Sequence, residues 1–223
     1  METVSRGGVQ LAYERDGQRD AETVVLVEGL GYGRWMWNWQ RDALVDDYDV
    51  VVPDNRGTGD SDAPEGPYTI PEMAADLDAV LADAGVDEAH VVGASMGGMI
   101  AQEYALEFDR ARSLTLCCSS PGGDVAEPMP AETREWMFDV PEDLDEREQI
   151  RYKMTPAMTD ELADSDVIED VIDWRLESDA PDHARQAQAA AVTEFDASDR
   201  LEDVDVPALV MHGTDDRVLP VEN

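Results

Sequence analysis

The sequence predicts an α/β protein with one mostly parallel sheet that is covered by helices on both faces. In residues 1–120, short apolar segments alternate with amphipathic ones, and this βαβα order requires parallel strands. A Gly-x-Ser-x-Gly motif at residues 93–97 lies where one strand passes into a helix. From residue 121 to about 204 the pattern changes to acidic amphipathic helices, which predicts a helical insertion before the last strand.

The predicted strands share short runs of β-branched and apolar residues bounded by turn residues. In order they are Val9–Tyr13, Thr23–Val27, Tyr48–Val52, His90–Gly93, Ser113–Cys118 and, after the insertion, Pro207–His212. The predicted helices between them are Trp35–Leu44, a helix that Pro71 opens, and Met96–Phe108. We therefore expect a first core part at 1–120, a helical cap at 121–204 and a core continuation at 205–223.

The chain is strongly acidic. It has 52 Asp and Glu against 16 Lys and Arg, a formal net charge of −36, and Lys153 as its only lysine. Because the acids are spread along the whole chain, they repel one another in dilute salt and are screened in molar salt. This composition resembles that of cytoplasmic proteins of haloarchaea that accumulate salt, and it argues against nucleic acid and anionic membranes as partners.

The start of the chain and its cysteines also favour a location in the cytoplasm. Residues 1–8 lack the apolar core of a secretory signal, and no apolar run approaches the roughly 20 residues of a membrane-spanning helix. The adjacent Cys117 and Cys118 point to opposite faces of a strand and are expected to be reduced thiols. We therefore expect a cytoplasmic protein.

Ser95 is the predicted nucleophile. The motif Gly93-Ala-Ser-Met-Gly97 follows a strand and precedes a helix, which holds the serine hydroxyl at a tight, strained turn. Glycines two residues before and after the serine remove side chains that would clash where strand and helix cross. The Met96 N–H then lies at the helix N-terminus, where it can stabilise an oxyanion.

Four segments together resemble the α/β-hydrolase-fold serine hydrolases, in particular 3-oxoadipate enol-lactonases and non-metal haloperoxidase-like esterases. They are Val27-Glu-Gly-Leu-Gly31, Asp54-Asn-Arg-Gly-Thr-Gly-Asp-Ser61, Gly93-Ala-Ser-Met-Gly-Gly98 and His212-Gly-Thr-Asp-Asp216. The resemblance implies that the Leu30 N–H is the second oxyanion donor and that Arg56 braces the oxyanion loop. Many relatives have histidine where this chain has Glu28, a departure expected to affect loop packing.

The resemblance also implies that Asp216 is the catalytic acid, which would orient a histidine. Asp215 and, more remotely, Asp124 and Glu28 are alternatives for this role.

The triad histidine is missing from the expected place. The family order is serine, acid, histidine, yet no histidine follows Asp216 before the sequence ends at Asn223. His90 lies at the wrong end of its strand, His212 is expected to be structural, and His183 lies in the cap. We therefore expect a C-terminally truncated hydrolase that lacks its last helix–strand–helix and is itself inactive, or else a short form that binds a ligand without turnover.

The expected substrate is a small carboxylic ester or lactone. Several apolar residues around the predicted nucleophile favour an apolar pocket, and Trp35 is the leading candidate to line it. Haloperoxidase-like perhydrolysis uses the same triad and remains an alternative. No metal-ligand cluster and no dinucleotide fingerprint is present, so we expect neither a metal nor another cofactor. The sequence does not predict the oligomeric state.

Overall fold

The computed structural model describes residues 1–223, apart from the side chain of Phe138. Its centre is a seven-stranded sheet in the order β1-β2-β4-β3-β5-β6-β7. The strands are β1 Glu2–Arg6, β2 Val9–Gly17, β3 Thr23–Val27, β4 Asp49–Pro53, β5 Ala89–Ala94, β6 Ala111–Cys117 and β7 Ala208–Met211. β1 and β2 are antiparallel, whereas β3 to β7 pair in parallel, so the predicted fold class is confirmed.

The helices cover both faces of this sheet. They are α1 Asn38–Leu44, α2 Ile70–Asp83, α3 Met96–Glu107, α4 Ala131–Phe138, α5 Glu146–Met154, α6 Asp160–Ala163, α7 Val167–Ser178 and α8 Asp182–Glu194. The apolar sides of α2 and α3 form the larger core on one face, while Trp37 and residues near α1 pack against Val24, Leu26 and Val50 on the other. Such two-sided burial explains the continuous apolar runs of the central strands. None of the helices that the structure describes is long and apolar enough to cross a bilayer.

The helix starts follow their local sequence. The Thr69 side chain accepts a hydrogen bond from the Glu72 N–H, and Pro71 occupies the first turn of α2. Asp145 and Glu148 form a reciprocal capping box at the start of α5.

Helices α4–α8 all lie between β6 and β7, where the sequence predicts an insertion. The end of α7 and the start of α8 return to the core. The Ala180 N–H donates to the Gly31 carbonyl (2.9 Å), and Ala184 of α8 is fully buried. The insertion is thereby attached to the loop that follows β3.

The strand register brings three strand ends to one edge of the sheet. Ala94 of β5 pairs with Cys117 of β6, and Cys117 pairs with Met211 of β7. The residues that directly follow these strands therefore lie beside one another. β7 itself is poorly covered, with Leu209, Val210 and Met211 exposed by 55, 66 and 52%.

Candidate active site

Ser95 occupies the turn between β5 and α3. Its backbone has φ 54° and ψ −118°, a conformation that L-residues rarely adopt. Gly97 permits the tight crossing because a Cβ there would overlap the Val27 carbonyl oxygen and lie 2.7 Å from that of Glu28. The Ser119 hydroxyl donates to the Ser95 carbonyl (2.9 Å), which fixes the turn from the β6 side. The Ser95 side chain remains partly exposed.

The loop after β3 lies against this turn. A Cβ on Gly29 would be 3.6 Å from the Ser95 Cβ, so loop and nucleophile are in van der Waals range. The Gly29 N–H points to Met36 Sδ (3.4 Å), and the Gly31 N–H donates to Gln188 Oε1 (2.7 Å). Within residues 1–223, the Leu30 N–H between them has no hydrogen-bond acceptor.

Met96 offers a second unused donor. As the first residue of α3, its N–H has no acceptor within the helix, and the positive end of the helix dipole lies there. The two N–H groups predicted to form an oxyanion hole are thus both available next to Ser95. A pair of backbone donors in this position can stabilise the negative oxygen of a tetrahedral intermediate.

Asp216 follows β7 at the same edge, one strand beyond β6. Its Oδ1 accepts the N–H groups of Val218 (2.8 Å) and Leu219 (2.9 Å), which hold the carboxylate in one orientation. Its Oδ2 lies 3.5 Å from His212 Nε2. The alternatives Asp215 and Asp124 are both exposed, and neither makes such contacts.

Cys118 lies between these groups. It follows β6 with φ 41°, and its N–H donates to the Met211 carbonyl (2.8 Å). Burial raises the pKa of its thiol to about 11, and the negative charge of Asp216 adds to the shift. The thiol is therefore protonated at neutral pH. The sequence analysis places Cys118 inside the strand Ser113–Cys118, but β6 ends at Cys117, so the place of Cys118 in this site was not predicted.

No histidine ring in the part of the chain that the structure describes hydrogen-bonds to Ser95. His90 Nδ1 lies 2.7 Å from Ser113 Oγ, and His90 lies near the start of β5, whereas Ser95 follows the end of that strand. His183 Nε2 lies 3.0 Å from the Ala63 carbonyl oxygen. His212 Nε2 lies 2.8 Å from the Leu219 carbonyl oxygen, as expected of a structural ring.

Glu28, directly before the oxyanion loop, is fully buried. Its Oε1 accepts the Asn55 N–H in a short hydrogen bond, while its Oε2 has no partner among the described residues. Burial, and then the negative charge of Asp54, raise the pKa of this carboxyl well above its ordinary value. Glu28 contacts the loop after β4, which agrees with a packing role.

The loop after β4 supports the oxyanion loop differently from the expectation. The Arg56 guanidinium pairs with Asp76 (2.5 Å) and Glu72 (2.6 Å) of α2 and does not itself contact the oxyanion loop. Instead, Gln188 of α8 links the two loops, since its Nε2 donates to the Arg56 carbonyl (2.9 Å) while its Oε1 accepts from Gly31.

Trp35 lies beside the oxyanion loop, half-buried. Its indole N–H donates to Asp179 Oδ1 (3.3 Å), and its ring contacts Tyr32 and Trp174. The neighbouring tryptophans are elsewhere, because Trp37 is buried in the core and Trp39 is half exposed. No group of three or more His, Cys, Asp or Glu side chains in the described chain could hold a metal ion.

Comparison with known proteins identifies the family of the chain. The model of the alpha/beta hydrolase fold family matches residues 22–223. A 3-oxoadipate enol-lactonase of Acinetobacter baylyi is 27% identical over 225 aligned residues, covering 99% of this chain and 81% of that protein. The structure of a thermophilic esterase from Thermogutta terrifontis superposes with a TM-score of 0.79 at 31% identity, covering 99% of this chain and 81% of that one.

A further relative matches about half of this chain. It is named putative carbamate hydrolase, comes from Azorhizobium caulinodans and is 41% identical over 111 residues. That alignment covers 49% of this chain and spans only 41% of the relative's length. From the matched family and the fold, the chain belongs to the alpha/beta hydrolase fold family and is similar to hydrolases of the esterase and enol-lactonase type.

Proposed function

We propose that this chain carries the site of a serine hydrolase that acts on small carboxylic esters or lactones through an acyl-enzyme. The observation that carries the proposal is the strained Ser95 turn with two unused backbone N–H groups, of Leu30 and Met96, beside it. Esterase and enol-lactonase relatives that match nearly the whole chain support the substrate class. Trp35 is proposed to line the substrate pocket next to the oxyanion loop.

In the proposed reaction Ser95 Oγ attacks the acyl carbon and loses its proton to a base. The Leu30 and Met96 N–H groups stabilise the tetrahedral oxyanion. The intermediate collapses to an acyl-serine as the C–O bond to the leaving alcohol, or to the ring oxygen of a lactone, breaks and that oxygen takes up a proton. Water then hydrolyses the acyl-serine and releases the acid.

Asp216 is proposed as the acid that orients a histidine and stabilises its imidazolium. None of the three described rings is placed to serve as the base for Ser95. We therefore expect residues 1–223 to acylate slowly, because losing a triad member removes several orders of magnitude of rate. Free imidazole added to the solution should accelerate the acylation by supplying a base.

The test is covalent labelling of Ser95 by a fluorophosphonate in molar KCl, read by intact mass with and without imidazole. We expect one adduct, formed faster with imidazole and absent from Ser95→Ala. The matched control Ser5→Ala removes an exposed serine of β1 and should label as the parent does. Labelling that persists in Ser95→Ala contradicts the proposal, and saturable ester binding without any acylation favours a noncatalytic binding protein.

Three further features complete the proposal. Residues 121–204 act as a cap domain over the site, between core segments 1–120 and 205–223. The net charge of −36 suits a protein that folds and works in concentrated salt, as in the cytoplasm of a halophile. The alternative activity, haloperoxidase-like perhydrolysis, is tested by adding peroxide and a short carboxylic acid and measuring whether a peracid forms.

A further inference from the structure

The oxyanion loop contains a turn whose own sequence does not hold it in one conformation. The Tyr32 N–H donates to the Gly29 carbonyl (3.3 Å), and Gly31, the third residue of this turn, has φ 79°, whereas the φ of Leu30 is negative. These are the features of a type II turn, in which the third residue needs a positive φ. Because Gly31 has no Cβ, the peptide between Leu30 and Gly31 can also rotate into other turn types at little cost. We refer to residues 29–32 as the oxyanion turn.

Both backbone polar groups of Gly31 are bound by the insertion between β6 and β7. The Gly31 N–H donates to Gln188 Oε1 of α8 (2.7 Å), and the Gly31 carbonyl accepts the Ala180 N–H (2.9 Å). By contrast, the Gly29 N–H points to Met36 Sδ (3.4 Å), and a thioether sulfur is a weak acceptor. The shortest hydrogen bonds of the oxyanion turn are therefore those to the insertion.

The Gln188 amide can take only one orientation. Its side chain is fully buried, and its Nε2 donates to the Arg56 carbonyl (2.9 Å). A carbonyl oxygen only accepts, so Arg56 requires the NH2 group on its side and leaves Oε1 to face Gly31. Oε1 is also only an acceptor, and an amide buried without partners costs free energy. Both ends of the Gln188 amide are therefore satisfied only when the Gly31 N–H points to α8.

Helix α8 is packed closely on the core, which fixes the position of Gln188. Ala184 and Ala191, one turn before and one turn after Gln188, share its face of α8 and are buried. A Cβ on Gly57, in the loop after β4, would lie 2.8 Å from the Ala184 Cβ, so no larger side chain fits between helix and loop. Small residues on both sides of this contact thus bring Gln188 between the loop after β4 and the oxyanion turn.

We propose that Gln188 is a positioning residue of the oxyanion hole, because it holds the oxyanion turn in the conformation that leaves the Leu30 N–H free beside Ser95. The inference rests on the proposed hydrolase function and adds a residue of the insertion to its machinery. Without Gln188, the Gly31 N–H loses its acceptor and the peptide between Leu30 and Gly31 can rotate. The Leu30 N–H then no longer keeps one direction relative to Ser95 and stabilises the developing oxyanion less. A glutamine that only joined the insertion to the core would affect stability and leave this donor in place.

The test compares two substrates that differ in the atom that the oxyanion hole binds. They are p-nitrophenyl butanoate and its thiono analogue, in which sulfur replaces the carbonyl oxygen. Sulfur accepts hydrogen bonds weakly, so the thionoester depends less on the Leu30 N–H. Acylation is read as p-nitrophenol release in molar KCl with imidazole, with the Ser95→Ala rate subtracted. Because removing one oxyanion donor costs about 10²–10³ in rate and a loosened donor costs less, we expect Gln188→Met to lower the ester-to-thionoester rate ratio about tenfold.

The matched control is Gln149→Met, which removes a glutamine of α5 whose amide donates to the Leu144 carbonyl within the insertion (3.0 Å). Its rate ratio should equal that of wild type. A wild-type ratio in Gln188→Met overturns the inference, because a purely structural loss slows both substrates equally. Circular dichroism establishes that each variant is folded. If Gln188→Met is not, the same ratio in Gln188→Asn decides, since its side chain is one methylene too short to reach both Gly31 and Arg56.

Amide hydrogen exchange, followed by NMR, tests the inference without turnover. The Gly31 amide should exchange several-fold faster in Gln188→Met than in wild type, while the Val25 amide of β3 exchanges equally in both. Equal exchange of Gly31 in the two proteins overturns the inference. If wild type releases no p-nitrophenol through Ser95 from either substrate, the hydrolase proposal fails, and the exchange of Gly31 alone then decides whether Gln188 holds the oxyanion turn.

Discussion

Replacing Glu28 by glutamine should change how the stability of the fold depends on pH. The Glu28 side chain is fully buried beside the oxyanion loop, and burial and Asp54 raise its pKa well above 4.5. The folded protein therefore keeps the Glu28 proton at pH values where the unfolded chain has lost it. Glutamine has nearly the same shape, can accept the same Asn55 hydrogen bond and does not titrate.

The size of this pH dependence follows from the one proton that Glu28 keeps in the folded protein and loses in the unfolded chain. Above pH 4.5, where the unfolded glutamate ionises, the free energy of unfolding of the wild type falls by about 1.4 kcal/mol per pH unit from this group. The fall stops once the pH passes the raised pKa of the folded state. The difference in unfolding free energy, Glu28→Gln minus wild type, should therefore grow with pH at that slope and then level off.

The assay is urea unfolding followed by tryptophan fluorescence, in molar KCl, at several pH values from about 5 to 8. Subtracting the two proteins at each pH cancels the titration of the other carboxylates. Glu65→Gln, which removes an exposed carboxylate, corrects for the change in net charge. A difference that is constant with pH, or that shrinks as pH rises, would show that Glu28 is ionised in the folded protein and would refute the reasoning.

The remaining predictions concern the elbow, the active-site thiol and the acidic surface. Gly97→Ala should cost about 1–3 kcal/mol of unfolding free energy and slow labelling of Ser95, since the new methyl group overlaps the Val27 carbonyl; wild-type stability and labelling would contradict this. In a Cys117→Ala background, the rate of alkylation of Cys118 at pH 8 should be far lower in the folded protein than in the unfolded chain. The rate in the folded protein should increase with pH up to about pH 11. Fast modification at pH 8 would mean that the folded protein has an accessible thiolate. Raising KCl from about 0.1 M to about 1 M, which shortens the Debye length from about 10 Å to about 3 Å, should raise the melting temperature; a melting temperature independent of KCl would remove the case for salt adaptation.

The parts of the fold that were predictable are those with strong local signals. Thr23–Val27 is buried on both faces and was predicted with the bounds it has. β1 was missed because Glu2–Arg6 is polar and largely exposed at the sheet edge. The signal that could have revealed it is Gly7-Gly8, whose positive φ values (60° and 87°) form a two-residue hairpin turn before β2.

The residues of the candidate site also divide into those that a sequence signal predicts and those that it does not. Ser95 and Met96 follow from a local motif, and Leu30 and Asp216 follow from the family resemblance. The link that Gln188 makes between the two loops could not be predicted, because it joins residues that are far apart in the sequence. The Glu28 carboxyl was visible as a departure from relatives, but its burial depends on the loop after β4, which local sequence does not specify.

The exposed strand β7 has a consequence for handling residues 1–223. In residues 1–223 its apolar side chains are uncovered and it lies at the edge of the sheet, so two copies of these residues can pair along it. In dilute buffer the net charge of −36 keeps copies apart, but it also weakens the fold. Added salt strengthens the fold and, by the same screening, removes the repulsion between copies. Conformational stability and colloidal stability should therefore respond to salt in opposite directions, and the working range is the interval of salt concentration in which both are sufficient.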